Sequence, residues 1–476
     1  MKTIESILNN AYKNWHDKDF VFTKIDGKYR GITYGEMIED ANALAEKLVA
    51  DGLSEKRIMV IGKNSVPYMI SDLAVLAFVG TVVNLNFQLG QDEIERVIKK
   101  SKIAAVLYDE DQRERFLDIA TKFPKLKCYC MQDEVAKLKK PAKMFNFPER
   151  NLEACAKIIF TSGTTSSPKG VMLSLKNIFA GWEPLCRRTS FRDDEVDYLF
   201  LPLHHTYGGI YNFYYSLVGG MQVYLCSDTP KIADELREVR PTIFCAVPLI
   251  YRRLMEAYGE HISMAFGDRI RFLFCGGANF SPKIRAFYKQ HGLPMFEAYA
   301  LTETSSSLSI EYPNFDDFES SGTVFENMEV KILNQDKDGV GDIVVKGESV
   351  FLGYLDDAKK TKAAFTDDGY FITGDYGWLE GNKLYVRGRK KDVLVGENGE
   401  NVYLPDIERR LVMACSDVVK LKGRLEKGAI IYDIYLKEAS DIDVDQVIQK
   451  FNANSAKKDW IINYSVHKES ELVGLK

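Results

Sequence analysis

Ile158-Ile159-Phe160-Thr161-Ser162-Gly163-Thr164-Thr165-Ser166-Ser167-Pro168-Lys169-Gly170-Val171 reads as a strand that empties into a polar loop. Ile158 to Phe160 are β-formers suited to a buried strand, and the residues after them offer glycines, hydroxyls and the ammonium of Lys169. Small residues let backbone N–H groups turn inward together; with hydroxyl donors and a lysine charge they make a cradle for phosphate. An ordinary Ser/Thr/Gly surface loop shares this composition, so the order of residues has to decide. Gly163 and the pair Lys169-Gly170 do not follow the order G-x-x-x-x-G-K-[ST], which argues against a kinase or GTPase loop.

The whole chain has 476 residues, 46% hydrophobic and 28% charged, the balance of an ordinary globular enzyme with room for about three core-sized units. A net charge of −5 leaves no basic face and argues against nucleic acid as a partner. The eight cysteines are scattered, mostly inside apolar runs such as Phe244-Cys245-Ala246-Val247, with no repeated CxxC spacing. They read as reduced, buried and cytoplasmic. Met1 to Glu5 lack the apolar stretch of a secretory peptide. Tyr68 to Phe87 is apolar but holds Asp72, Gly80, Asn84 and Asn86, so a buried helix followed by a strand is expected there and no transmembrane segment.

Residues 1–157 alternate helical and strand signals, the pattern of a parallel sheet with crossover helices. Thr33 to Ala50 places Met37, Ala41, Leu44, Ala45 and Leu48 on one helical stripe, and Arg57 to Gly62 follows as a strand. Glu93 to Lys100 reads as helix and Ala104 to Tyr108 as a short buried strand. Beyond the polar loop, Tyr198 to Leu203 is apolar and runs into His204-His205-Thr206-Tyr207-Gly208-Gly209. Two more apolar runs break into small and polar residues: Ile270 to Cys275 at Gly276-Gly277-Ala278, and Pro294 to Tyr299 at Ala300-Leu301-Thr302-Glu303-Thr304. Open α/β sheets bind ligands beyond the carboxyl ends of their strands, so these breaks are ligand-facing. From Gly322 the chain is β-rich; it then reaches Ile372-Thr373-Gly374-Asp375 and, after another strand, Gly388-Arg389-Lys390-Lys391-Asp392.

The loop at Thr161 to Gly170 resembles, almost letter for letter, the signature loop of the adenylate-forming superfamily of acyl-CoA synthetases, luciferases and adenylation domains, and Thr373-Gly374-Asp375 is a second match. The resemblance implies an α/β fold: a large N-terminal domain of doubly wound sheets plus a β-rich subdomain (residues 1–387), a hinge at 388–391 and a small α+β C-terminal domain (392–476). It implies that Thr161, Ser162, Gly163, Thr164, Thr165 and Lys169 grip the phosphates of ATP. Gly276, Gly277 and Ala278 would flank the adenine and acyl pocket, Tyr299 would stack on adenine next to Ala300, and Thr302 would touch phosphate. Glu303, with Thr161, would hold Mg²⁺. Asp375 would accept hydrogen bonds from the ribose hydroxyls, Arg389 would reach the nucleotide and Lys391 would be the hinge. Ala300 stands where the family usually has glycine.

At the strand end before Thr206, amino-acid-activating members carry an acid for the substrate amine; this chain has His204-His205, with His204 expected to line the wall between acyl pocket and α-phosphate. The wording is most like fatty-acyl-CoA synthetases, so the resemblance implies a long-chain-fatty-acid–CoA ligase-like enzyme. Medium or long fatty acids are then the expected acids, with the thiol of CoA, or of the phosphopantetheine on an acyl carrier protein, as acceptor. Gly396 to Glu408 resembles the loop that enters the site for thioester formation, with its proline one place late at Pro405. The family's C-terminal catalytic lysine has a poor counterpart in Lys476. Together with Ala300, this leaves open a second reading, an adenylating fold that binds nucleotide or acyl-adenylate without making a thioester.

Overall fold

The computed structural model describes residues 3–138, 149–161, 168–278, 281–311, 317, 319–395, 401–426, 429–455 and 457–472. Two open sheets share one core. The first runs in the order Gly353–Tyr354, Lys169–Ser174, Cys155–Thr161, Thr81–Asn84, Arg57–Ile61, Ala105–Tyr108, Lys127–Cys130. It is parallel from Cys155–Thr161 onward, with the helices Val66–Ala74, Gln91–Lys100 and Arg113–Lys122 in its crossovers. The helix Tyr34–Ala50 begins at a capping box in which Thr33 and Glu36 satisfy each other's backbone N–H.

The second sheet has a parallel half, in the order Met295–Tyr299, Phe272–Cys275, Ile243–Ala246, Val196–Leu199, Gln222–Leu225, Asp19–Ile25. Ser309–Ile310 pairs antiparallel with Met295–Tyr299 and carries the sheet on into Thr323–Val324, Lys383–Arg389, Phe371–Glu380, Gly341–Gly347 and Met328–Leu333. The β-rich stretch after Gly322 is therefore hydrogen-bonded to the parallel half as one continuous sheet. Strand periodicity explains how both faces are covered. Ile58 and Val60 point into the core between the sheets, while Met59 and Ile61 pack outward with Phe116 and Ile119. Likewise Phe272 and Phe274 point inward, whereas Leu273 and Cys275 join Tyr251 and Tyr288 outside.

A smaller core lies C-terminal to these sheets. Val418–Glu426, Ala429–Leu436 and Asn463–Lys468 form a three-stranded sheet covered by the helices Leu404–Ala414 and Val444–Ala453, with Ile407, Leu411, Leu421, Ile434, Ile448 and Phe451 between them. The apolar run near Tyr68 is the helix Val66–Ala74, a π-helical turn Val75–Val79 and the strand Thr81–Asn84, buried in the shared core. Gly80 between them sits where a Cβ would lie 2.3 Å from the Lys56 carbonyl oxygen, so only glycine allows this turn. Among the described residues no helix is long and apolar enough to cross a membrane. None of the cysteines forms a disulfide; Cys130, Cys245 and Cys275 are buried, and the others are half-buried instead of fully enclosed as their apolar surroundings predict.

One charged contact crosses the shared core. Lys157, on the strand leading to the polar loop, places its ammonium 2.9 Å from both carboxylate oxygens of Asp72, with side chains 0% and 2% exposed. Asn84 donates to Asp72 at 2.8 Å, and the hydroxyl of Tyr214 donates to it as well. Burial pushes the Lys157 pKa down against the pull of Asp72. Asp72→Ala should therefore lower stability by about 3–5 kcal/mol, since it strands a buried ammonium. The double change Lys157→Met with Asp72→Leu should cost less than the single one in urea unfolding; strictly additive losses would show that the two charges are not coupled.

Candidate active site

The carboxyl ends of both sheets meet in one crevice. At one end of it, Thr161 and Lys169 face each other across the hairpin that carries the polar loop. Ser162, Gly163, Thr164 and Thr165 lie outside the described residues. The short strand Gly353–Tyr354 pairs with Lys169–Ser174 and brings Tyr354 alongside. The ammonium of Lys169 stands 5.6 Å from the centre of the Tyr354 ring and that of Lys360 5.7 Å from it. The Tyr354 hydroxyl donates to Glu303 Oε1 at 2.9 Å. Burial first, and then the charge of Lys169, push the Lys360 pKa down, so two ammonium groups share this corner. Tyr354 and Lys360 were not legible as site residues, because nothing local in Gly353-Tyr354 shows which strand it will pair with.

The other end is built on Asp375, which is 3% exposed within the strand Phe371–Glu380. Tyr299 O–H donates to one of its carboxylate oxygens at 2.5 Å, and Arg389 Nε lies 3.0 Å from the other. Sheet register explains the second contact, since Asp375 and Arg389 are directly paired across neighbouring strands. Burial raises the Asp375 pKa, Arg389 and Tyr299 oppose the rise, and Glu303 adds to it. Asp375 is thus an acid held in place by two donors at a point where sugar hydroxyls could replace or join them.

Tyr299 ends its strand beside Phe272–Cys275, whose continuation is Gly276-Gly277-Ala278. A Cβ at Gly276 would come 2.9 Å from the Ala298 carbonyl oxygen and 3.7 Å from the Tyr207 ring, and Gly277 has φ +80°, so both glycines are required by the backbone. Ala278 is exposed, and Ala300, Thr302 and Glu303 are half-buried. The Glu303 carbonyl accepts from Phe351 N–H at 2.8 Å, which fixes its carboxylate toward Tyr354. Glu303 with Asp375 close enough to feel its charge suits a divalent cation that takes the rest of its shell from phosphate and water. Among the described residues no three His, Cys, Asp or Glu side chains gather into an all-protein metal cage.

His204 is 6% exposed, edge-on to Phe87 at 6.3 Å, while His205, 4.5 Å away ring to ring, is the exposed member. Burial and His205 push the His204 pKa down to about 3, so it is neutral near pH 7. The strand ends at Leu199, short of the apolar run to Leu203, and the turn after it is held by Asn64, which donates to the Leu201 carbonyl at 2.8 Å and accepts from Leu203 N–H at 2.9 Å.

Past Arg389, Lys390 pairs with Asp342 at 2.8 Å, and Lys391 is exposed in the 3-10 turn Lys390–Asp392. A cavity of about 600 Å³ separates Arg252, Ala278 and Ile284 on the large sheet's side from Pro405, Glu408 and Lys420 on the small core's side. Glu408 and Lys420 pair at 2.8 Å across its wall. Gly399 and Lys476 lie outside the described residues.

Known proteins share this arrangement. The chicken (Gallus gallus) long-chain-fatty-acid–CoA ligase ACSBG2 is 25% identical over 87% of this chain, which spans 64% of that protein's length. The 2-succinylbenzoate–CoA ligase of Enterococcus faecalis is 28% identical over 75% of this chain and 73% of its own. The ATP-bound crystal structure of MatB from Rhodopseudomonas palustris superposes with a TM-score of 0.85 at 25% identity, covering 97% of this chain and 94% of that one. With the family model of the AMP-binding enzymes matching residues 8–355, more than half the sequence, the chain belongs to the AMP-binding enzyme family.

Proposed function

We propose that the chain activates a carboxylic acid, in the first instance a fatty acid, with ATP and passes the acyl group to the thiol of CoA. The observation that carries this reading is the crevice with Asp375, Tyr299 and Arg389 at one end, an acceptor suited to ribose hydroxyls, and Lys169, Tyr354 and Glu303 at the other, suited to phosphates and a cation. A carboxylate oxygen of the acid attacks the α-phosphorus, and the bond to pyrophosphate breaks. The thiol sulfur then attacks the acyl carbon and AMP leaves. Asp375 and Arg389 hold the ribose, Tyr299 lies against the base, and Thr302 with the hydroxyls of the polar loop positions phosphate. Lys169 balances the charge that gathers on departing pyrophosphate. Mg²⁺ at Glu303, with Thr161 nearby, would neutralise phosphate oxygens. No protein nucleophile is needed. The CoA-ligase names of the relatives favour CoA over a carrier-protein arm, and the cavity beside Ala278 is a route by which a thiol could reach the crevice.

Removal of the ribose acceptor tests the nucleotide site. Asp375→Ala should weaken ATP binding by roughly 2 to 4 kcal/mol, the worth of a lost charged hydrogen-bond pair, in calorimetry. Unchanged affinity would overturn the placement of the ribose.

The acid is tested by ATP–pyrophosphate exchange. Fatty acids should drive it and free amino acids should not, because His204-His205 stand where an amine clamp would need an acid. An amino acid as best substrate would refute this. Exchange without any thioester product would favour the second reading, a fold that stops at the adenylate.

Two half-reactions with different attacking atoms cannot share one geometry, so residues 392–476 are proposed to rotate about Lys391. Lys391→Pro fixes φ near −65° and should impair exchange and thioester yield unequally. Equal loss of both in a folded protein would indicate local damage instead of a trapped orientation.

A further inference from the structure

We infer that the acid chamber is closed by the aromatic side chains of Tyr207, Tyr211 and Phe274, so that the chain takes short-chain carboxylic acids and not the long-chain ones its fatty-acyl wording suggests. This rests on the proposed acid-activating reading and adds to it the size of the acid. The chamber is bounded by the strand end carrying His204-His205 and by the strand end carrying Gly276. The π-helical segment Tyr207–Tyr214 starts directly after the histidines and lies along the inner face of Phe272–Cys275. Any acyl chain leading away from the crevice between these two walls has to pass between that helix and that strand.

The space is filled by rings. Tyr207 donates its hydroxyl to the Phe274 carbonyl at 3.0 Å, and its ring edge lies 3.7 Å from the position of a Gly276 Cβ, at the chamber's mouth. One turn further, Tyr211 meets the Tyr207 ring at 5.7 Å and 83° and the Phe274 ring at 5.6 Å and 72°. Behind them, Tyr211 contacts Tyr215 at 5.5 Å, and Phe274 contacts Phe296 at 5.5 Å and Phe272 at 5.7 Å. T-shaped rings at these spacings are in van der Waals contact, and an alkyl chain needs about 3.5 to 4 Å from its carbons to each wall. No polymethylene chain threads such a stack. Phe274 is 0% exposed and Tyr211 8%, so neither has solvent to swing into.

The helix is tied down at several points, to the helix Val66–Ala74 on one side and to its own sheet on the other. Tyr214 donates to buried Asp72, Asn212 donates to Asp197 at 2.7 Å, and the Tyr215 hydroxyl shares a hydrogen bond of 3.0 Å with Ser307. These bonds hold the wall in place, and on this reading only a short acyl chain stops in front of it.

The full chain, assayed by ATP–pyrophosphate exchange with butyrate, hexanoate, octanoate and palmitate, tests this. The expected result is a kcat/KM at least about a hundredfold higher for butyrate than for palmitate, the discrimination that one or two excess methylenes against a closed apolar wall can supply. Tyr211→Ala should move the optimum toward octanoate while ATP affinity stays as in the parent; Tyr207→Ala, at the half-exposed mouth, makes the same test if the first variant does not fold. Palmitate as the preferred acid would overturn the closed chamber and leave the activating reading standing. A short-chain preference unmoved by a folded Tyr211 or Tyr207 variant would overturn these residues as the wall. Absence of exchange with every acid, while ATP still binds, would remove the inference together with the reading beneath it.

Discussion

The buried carboxylate of Asp72 is the contact on which the arrangement of the site depends. It comes from a helix, and it is met by Lys157 from the strand that leads to the polar loop, by Asn84 from the neighbouring strand and by Tyr214 from the helix that follows the histidine pair. These donors lie far apart in the chain, and the acid holds them at one point between the two sheets. Taking an ammonium and a carboxylate out of water costs several kcal/mol per ion, which is recovered only when the geometry is good and the remaining hydrogen-bonding positions are filled. The same requirement makes the contact specific. A shifted strand or a rotated helix would leave a charge unpaired in the core, so the strand Cys155–Thr161 and the helix after the histidine pair are fixed relative to each other.

The crevice itself is arranged around negative charge. Asp375 is nearly enclosed, feels Glu303 nearby, and is stabilised by the half-exposed Arg389 and by Tyr299. Opposite, Lys169 and Lys360 flank Tyr354. A polyanion with sugar hydroxyls at one end and phosphates at the other matches both halves, and a cation at Glu303 would relieve the repulsion between acid and phosphate. Arg389 also begins the link to the small core, and Lys390 beside it is pinned to Asp342. The contact to Asp375 and the link to the small core thus share neighbouring residues, which is the physical basis on which the proposed nucleotide site and the small core could be coupled.

Much of this was legible because it is local. The strand before Thr161, the helical stripe from Met37 to Leu48 and the Gly276-Gly277 break each declare themselves within a few residues, and the strand read at Arg57 to Gly62 puts Ile58 and Met59 in opposite cores. What was not legible depends on pairing at a distance. Asp19–Ile25 and Lys28–Thr33 join the far sheet beside Gln222–Leu225 although they precede every strand of the near one. Tyr354 enters the site only because its short strand pairs with Lys169–Ser174. His204 and His205 lie in a turn beyond the strand Val196–Leu199, so strand alternation does not decide which of them is enclosed. Asn64, distant in sequence, holds that turn.

A similar division separates the family from the acid it acts on. Phosphates, ribose and carboxylate are common to every reaction of this kind, and recognising them takes particular donors and acids at particular spacings. An acyl chain offers no polar atoms to match; the protein selects it by volume alone, and many combinations of apolar residues can set the same volume. Motif wording therefore reports on the shared part of the substrate and is silent on the variable part. Here the two diverge: the stretch around His204-His205 reads like that of fatty-acyl enzymes, while the helix beyond it puts Tyr207 and Tyr211 against Phe274. Where the two sources differ on the acid, packing is the stronger guide, since a chain that has no space to occupy cannot be bound however well the phosphates are held.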